Sequence, residues 1–196
     1  RRVFGEEACI IDGEGDRGGN AARFEIAGVA HPDVKVLAAM ARRLEGAGAE
    51  ALAMPCNTAH HYAPAIRAAV SVPLIDMVVL SVAHAAGLAG PGGTVGILAS
   101  PAVRRIGLFD RAFVAAGLTA LYPQDDAAML ATIRLIKAQG AKPAARSALA
   151  GASAELAARG ARVQMIACTE FSLISEAVDP DVQAFDTLDR LVEGIL

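Results

Sequence analysis

The chain has 196 residues, is 54% apolar and carries a formal charge of −3, with acids and bases interspersed. That composition excludes a disordered chain, and the absence of a basic run or aromatic platform excludes a nucleic-acid binder. Its most lipid-like window, "MVVLSVAHAAGLAG" (77–90), contains His84 and stops at Pro91, short of the roughly 20 residues a membrane span needs. The N-terminus "RRVFGEEACIIDGEG" has neither an apolar core nor a cleavage pattern, so no signal peptide is expected. Three widely spaced cysteines do not make a disulfide framework, which points to free thiols in a reducing cytoplasm.

In chain order, short apolar runs predict strands over 6–11, 50–54, 73–77, 94–98, 119–122, 163–167 and 182–186. Several lack polar alternation, as strands covered on both faces should. Between them, helical spacing predicts helices from Val34 to Gly46, Ala59 to Val70, Arg104 to Ala116, Ala127 to Gln139 and Lys142 to Arg159. Alternation of this kind predicts an α/β fold with a mainly parallel sheet flanked by helices. The run "GPGGTVG" (90–96) precedes its strand, so it is a connection rather than a phosphate loop, which would follow one.

The chain also resembles itself. The segments beginning at Leu44 and Leu156 both read helix end, Gly, apolar strand, Cys, polar pair, helix, short strand, Asp. Cys56 and Cys168 keep the same 112-residue offset, and the closing aspartates Asp76 and Asp186 are 110 apart. Two pseudo-symmetric, Rossmann-like lobes are therefore expected, with matching loops meeting at one cleft. The expected boundaries are 1–77 plus 183–196 for the first lobe and 78–182 for the second.

Each of these cysteines follows a strand and opens a helix, where free backbone N–H groups and the helix dipole favour a thiolate. A single cysteine there would more often be core. Two at equivalent points of a repeat, each followed by polar residues (Asn57–Thr58 and Thr169–Glu170), favour a reactive pair. A thiolate and a thiol on opposite faces of one carbon suit inversion by proton exchange, chemistry that requires no cofactor. Cys9 has no such partner and reads as structural. His60 reads as a helix residue near the cleft rim, and Asp76 and Asp186 either face the cleft or cap helices. No histidine has metal-site spacing.

"PCNTAH" (55–60) and "ACTE" (167–170) resemble the two signature motifs of the aspartate/glutamate racemase family, in its aspartate-racemase branch. The resemblance implies a cofactor-independent amino-acid racemase acting on aspartate and/or glutamate, with Cys56 and Cys168 as catalytic bases and a homodimer as the assembly. It further implies substrate contacts from Arg17 in "GDRGG", Asn57, Thr58, Ser100 in "GILAS", Lys137 in "LIKAQG", Thr169 and Glu170. Read as ordinary residues, Arg17 and Lys137 would be solvated charges and Ser100 an N-cap. Against the family pattern, the chain reads as a version shortened by the usual N-terminal strand and glycine-rich loop, and Gly15 and Gly18 flank Arg17 where proline and threonine are usual. Two alternatives stay open: a related diacid isomerase of the maleate type, or a catalytically impaired diacid-binding homologue. A redox pair would predict a Cys56–Cys168 disulfide.

Overall fold

The structure is a computed structural model that describes 8–10, 23–26, 29–32 and 34–196, with side chains from residue 34 onward. Two parallel sheets organise it. In the first, β1 (Ala8–Ile10), β4 (Ala51–Ala53) and β5 (Leu74–Ile75) run in the order β1-β4-β5. The second contains β6 (Thr94–Ala99), β7 (Thr119–Leu121), β8 (Val163–Ala167) and β9 (Gln183–Asp186) in the order β7-β6-β8-β9. Both are parallel throughout, as the alternation of elements requires. A separate antiparallel pair, β2 (Arg23–Ile26) and β3 (Val29–Pro32), was not expected from the sequence.

Side-chain alternation along the second sheet splits the core into two layers. Val95, Ile97, Val163 and Met165 face a layer with Val82, Phe109 and Phe113. Leu98 and Ile166 face the other, with Met129, Ile133, Leu149 and Phe171. The covering helices on that second side are α6 (Asp126–Gln139), α7 (Pro143–Ala158) and the short α8 (Thr169–Ser172). The first sheet is handled alike. Leu52, Met54 and Leu74 pack with Leu37 of α1 (Val34–Gly46) and Ile66 of α2 (Ala63–Arg67).

The opposite face of the first sheet receives Met77 and Leu191 against Ala53. These come from α3 (Met77–Ala89) and the C-terminal α9 (Thr187–Ile195), which pack on one another. The chain thus stays with the second sheet through Asp186, because β9 pairs with β8; α9 then reaches β5 of the first sheet while still packing on β8 and β9. Helix α3 is apolar on nearly every side, although Val79, Ala83 and Gly87 form a face open to solvent.

The helix expected from Arg104 to Ala116 is two: α4 (Pro101–Arg105) and α5 (Asp110–Ala115). Gly107 between them has φ +61°, and a Cβ there would lie 2.8 Å from Asp110 Oδ2. Only glycine makes that turn at low cost. The helix expected over 59–70 likewise begins as a 3₁₀ turn at Thr58–Tyr62 before α2.

Candidate functional site

The two cysteines emerge at equivalent points. Strand β4 is buried along its length and runs through Met54 and Pro55 into Cys56; β8, also wholly buried, ends in Cys168 at the N-cap of α8. The repeat persists beyond them. Asp76 follows β5 and caps α3 by accepting from Val78 and Val79 N–H, and Asp186 ends β9 and caps α9 by accepting from Leu188 N–H. The aspartates thus take the capping role rather than free positions in a cleft. Arg67 also bonds Asp76, and although burial raises that carboxyl, these partners hold it below its ordinary value.

Polar contacts join the two motifs. Asn57 Nδ2 donates to Thr187 Oγ1 at 3.0 Å, and Thr187 Oγ1 donates to the Ile166 carbonyl of β8 at 3.0 Å. Thr58 Oγ1 lies 3.4 Å from Ser100 Oγ at the end of β6. Ser100 does stand at the N-cap of α4, yet its hydroxyl makes no capping bond and faces Thr58 instead. Asn57 is buried, and among the described residues nothing donates to its Oδ1.

At the second motif, Cys168 Sγ donates to Glu170 Oε2 at 3.0 Å, and Lys137 Nζ pairs with Glu170 Oε1 at 2.9 Å. One carboxylate therefore bridges a thiol and an ammonium. Burial raises Glu170, but the bonds from Cys168 and Lys137 outweigh it and hold the carboxyl below its ordinary value. Lys137 is raised, first by its bond to Glu170.

Both thiols lie above the ordinary cysteine pKa, so the helix N-termini do not give the resting thiolate expected from sequence. Burial raises Cys56 most; the Ala59 and Thr58 N–H groups and the Lys137 charge oppose it, while the Glu170 charge adds to it. Burial again dominates at Cys168, with the charge and hydrogen bond of Glu170 adding to it. Removing a thiolate from water costs more than one helix end returns. Asn57 through Thr187 to Ile166, and Thr58 against Ser100, are the contacts that bring the two motifs together, and Lys137 and Glu170 add charge beside them.

His60, expected at the rim, is buried and holds the Cys56 turn together. Its Nδ1 lies 2.8 Å from the Cys56 carbonyl, and its Nε2 accepts from Met77 N–H at 3.2 Å. Those partners allow one tautomer, neutral with the proton on Nδ1. The spacing of four residues from Cys56, about one turn, was the available signal. Thr187 carried none, since its counterpart after Asp76 is Met77.

Thr169 opens α8 half-buried beside Cys168. Arg17 lies outside the described residues, as does the side chain of Cys9. Among the described residues no group of three or more His, Cys, Asp or Glu could hold a metal ion, and no helix is long and apolar enough to cross a membrane.

A family model described as Asp/Glu/Hydantoin racemase matches residues 19–194. The chain belongs to this family. Among solved structures, this racemase-family chain resembles the aspartate racemase of Picrophilus torridus at TM-score 0.71 and 18% identity, covering 83% of this chain and 67% of that one. An aspartate racemase homologue from Pyrococcus horikoshii matches at TM-score 0.65 and 23% identity, over 83% and 72% of the two chains. Glutamate racemase from Francisella tularensis, solved with D-glutamate, matches at TM-score 0.64 and 17% identity, over 81% and 60%. Identities this low carry the fold. The fold expected from sequence, α/β with helix-flanked parallel sheets, is the one these neighbours share.

Proposed function

We propose that this racemase-family protein interconverts the enantiomers of aspartate and/or glutamate without a cofactor, using Cys56 and Cys168 as two bases on opposite faces of the α-carbon, and does so as a homodimer in a reducing cytoplasm. The observation that carries this reading is the buried bonding that joins the two cysteine motifs, from Asn57 through Thr187 to the Ile166 carbonyl of the strand that ends in Cys168.

In one direction the thiolate takes the α-proton and becomes a thiol, leaving an electron pair that delocalises into the α-carboxylate. The opposing thiol then gives its proton to the other face and is left as thiolate. The centre is inverted, and the two sulfurs have exchanged protonation states. Such transfer needs orientation and charge stabilisation more than a strong base.

The other groups have complementary work. Asn57 commits its amide N–H to Thr187, so its Oδ1 is the atom left to accept from the substrate ammonium. Thr58, Ser100 and Thr169 supply hydroxyls for the head group. Lys137 receives the distal carboxylate, and Arg17 a carboxylate from its own segment; an Arg fork suits that role. An ammonium brought beside the sulfurs offsets part of the burial cost of a thiolate.

The test is polarimetry and proton NMR on L- or D-aspartate and glutamate in D2O. Wild-type protein should lose optical rotation as the α-position gains deuterium, and Cys56→Ala and Cys168→Ala should each abolish racemisation. Undiminished racemisation by either variant overturns the mechanism. Fumarate produced from maleate, with no exchange of amino acids, would move the activity to the isomerase alternative.

A further inference from the structure

The two thiols sit at equivalent positions of a repeat but are not equivalent in environment. Cys168 has a carboxylate in direct contact, with Glu170 Oε2 accepting its S–H at 3.0 Å. Cys56 has no such neighbour within its own motif: the residues at the corresponding positions are Asn57 and Thr58, both neutral. Backbone N–H groups reach both sulfurs, from Thr58 and Ala59 at Cys56 and from Glu170 and Phe171 at Cys168, so the carboxylate is what differs. Glu170 is itself fixed from its far oxygen by Lys137 of α6, 33 positions earlier in the chain, at 2.9 Å. The exposed Lys137 ammonium offsets the Glu170 charge, so that mostly covered carboxylate can remain ionised.

We propose that Glu170 is a positioning residue that keeps the proton on Cys168 before turnover, so that Cys56 is the first base and Cys168 the first acid. This rests on the two-thiol reading for its catalytic consequence, though not for its test. When one of the two sulfurs ionises, the charge goes to Cys56, because a thiolate at Cys168 would face the Glu170 carboxylate across a broken hydrogen bond. A carboxylate is far too weak a base to take the thiol's proton outright. Glu170 therefore orients that proton and holds it in place.

The groups that bear on Cys168 are the Glu170 carboxylate and N–H and the Phe171 N–H on its own short helix, with Lys137 on α6. A ligand carboxylate that draws Lys137 away leaves Glu170 without its counter-ion, which strengthens its hold on the Cys168 proton. An acidic ligand would thus reinforce the same assignment of acid and base as it binds. The enantiomer whose α-hydrogen points at Cys56 meets the correct protonation state at once. Its mirror image waits for the minor form, with the proton on Cys56 and the charge on Cys168.

The test reads thiol ionisation without turnover. Iodoacetamide forms an S–C bond to thiolate and releases iodide, and peptide mass spectrometry reports each cysteine's alkylation rate against pH. In wild type the Cys56 profile should rise at lower pH than that of Cys168. In Glu170→Gln the Cys168 rate near neutral pH should increase at least about tenfold, since an adjacent charge moves a pKa by a unit or more. The Cys56 rate should change less. Lys137→Met should slow both. Because Cys168 is buried, thiolate ultraviolet absorbance, taken as the difference between each protein and its Cys168→Ser counterpart, gives the same midpoints independently of reagent access.

An unchanged Cys168 midpoint in Glu170→Gln, or a wild-type Cys168 that ionises at lower pH than Cys56, overturns the proposal. The comparison within wild type decides the matter if a variant fails to fold. Failure here would leave racemisation untouched, and absence of racemisation would leave these midpoints as stated, so the two readings fail separately.

Discussion

His60 offers a perturbation whose size follows from its contacts. Its Nδ1–H donates to the Cys56 carbonyl and its Nε2 accepts from Met77 N–H, and among the described residues no other acceptor is paired with that N–H, while Asp76 already takes Val78 and Val79. His60→Asn keeps a donor near Cys56 and strands the Met77 N–H. A buried amide left without a partner costs about 1–3 kcal/mol, which is the expected loss near neutral pH. A second signature comes from protonation. Burial pushes His60 below the ordinary imidazole value, while the Cys56 carbonyl and Asp76 recover part of this and Arg67 opposes the proton. The folded state resists a proton that the unfolded chain accepts at about pH 6.5. This stability is therefore fully present above that pH and is lost as pH falls below it, by up to about 1.4 kcal/mol between pH of about 7.5 and about 5.5. Urea denaturation of wild type and His60→Asn at both pH values isolates the effect, since His61 and His84 are common to both. Wild type should lose more stability on acidification, and the gap between the proteins should narrow. Equal pH dependence in the two would refute the assignment of a neutral, doubly bonded imidazole.

Two further outcomes follow from packing. Thr187→Val removes the acceptor for Asn57 Nδ2 and the donor to the Ile166 carbonyl, both buried. It should cost about 1–3 kcal/mol in denaturation and raise KM more than a surface substitution does, because the Asn57 amide loses its fixed orientation; an unchanged KM would contradict the role given to Asn57. Gly96→Ala would place a Cβ 3.1 Å from Gln164 Cγ, 3.1 Å from Leu156 Cδ1 and 3.2 Å from Ala161 Cβ. Three crowded sides leave little room to relax, so a loss of about 1–3 kcal/mol is expected, and a denaturation midpoint within error of wild type would show that β6 can shift.

Much of the fold was legible because its strands are buried on both faces and its helices are amphipathic. Runs such as 94–98 and 163–167 have no polar alternation, and the structure places them at the centre of a sheet between two apolar layers. The paired cysteines and capping aspartates were legible because the chain repeats them. Helix α3 was not, since a helix apolar on every side has no periodicity to detect. The break at Gly107 was hidden by a helical pattern continuing on either side of it. Neither could sequence spacing show that Asn57 bonds Thr187, 130 residues away, or that Lys137 and Glu170 meet. Both had been expected to hold substrate, and the two pair with one another. The polarity of the "CTE" turn was visible; what it touches depends on where α6 packs.

The most direct measurement is enantiomer-specific deuterium wash-in by single-cysteine variants at long incubation and high protein concentration. With Cys168→Ala, only the enantiomer whose α-hydrogen faces Cys56 should exchange, with retention of configuration; with Cys56→Ala, only its mirror image should. Exchange of the same enantiomer by both variants, or of both enantiomers by either one, would contradict two sulfurs acting from opposite faces of one carbon.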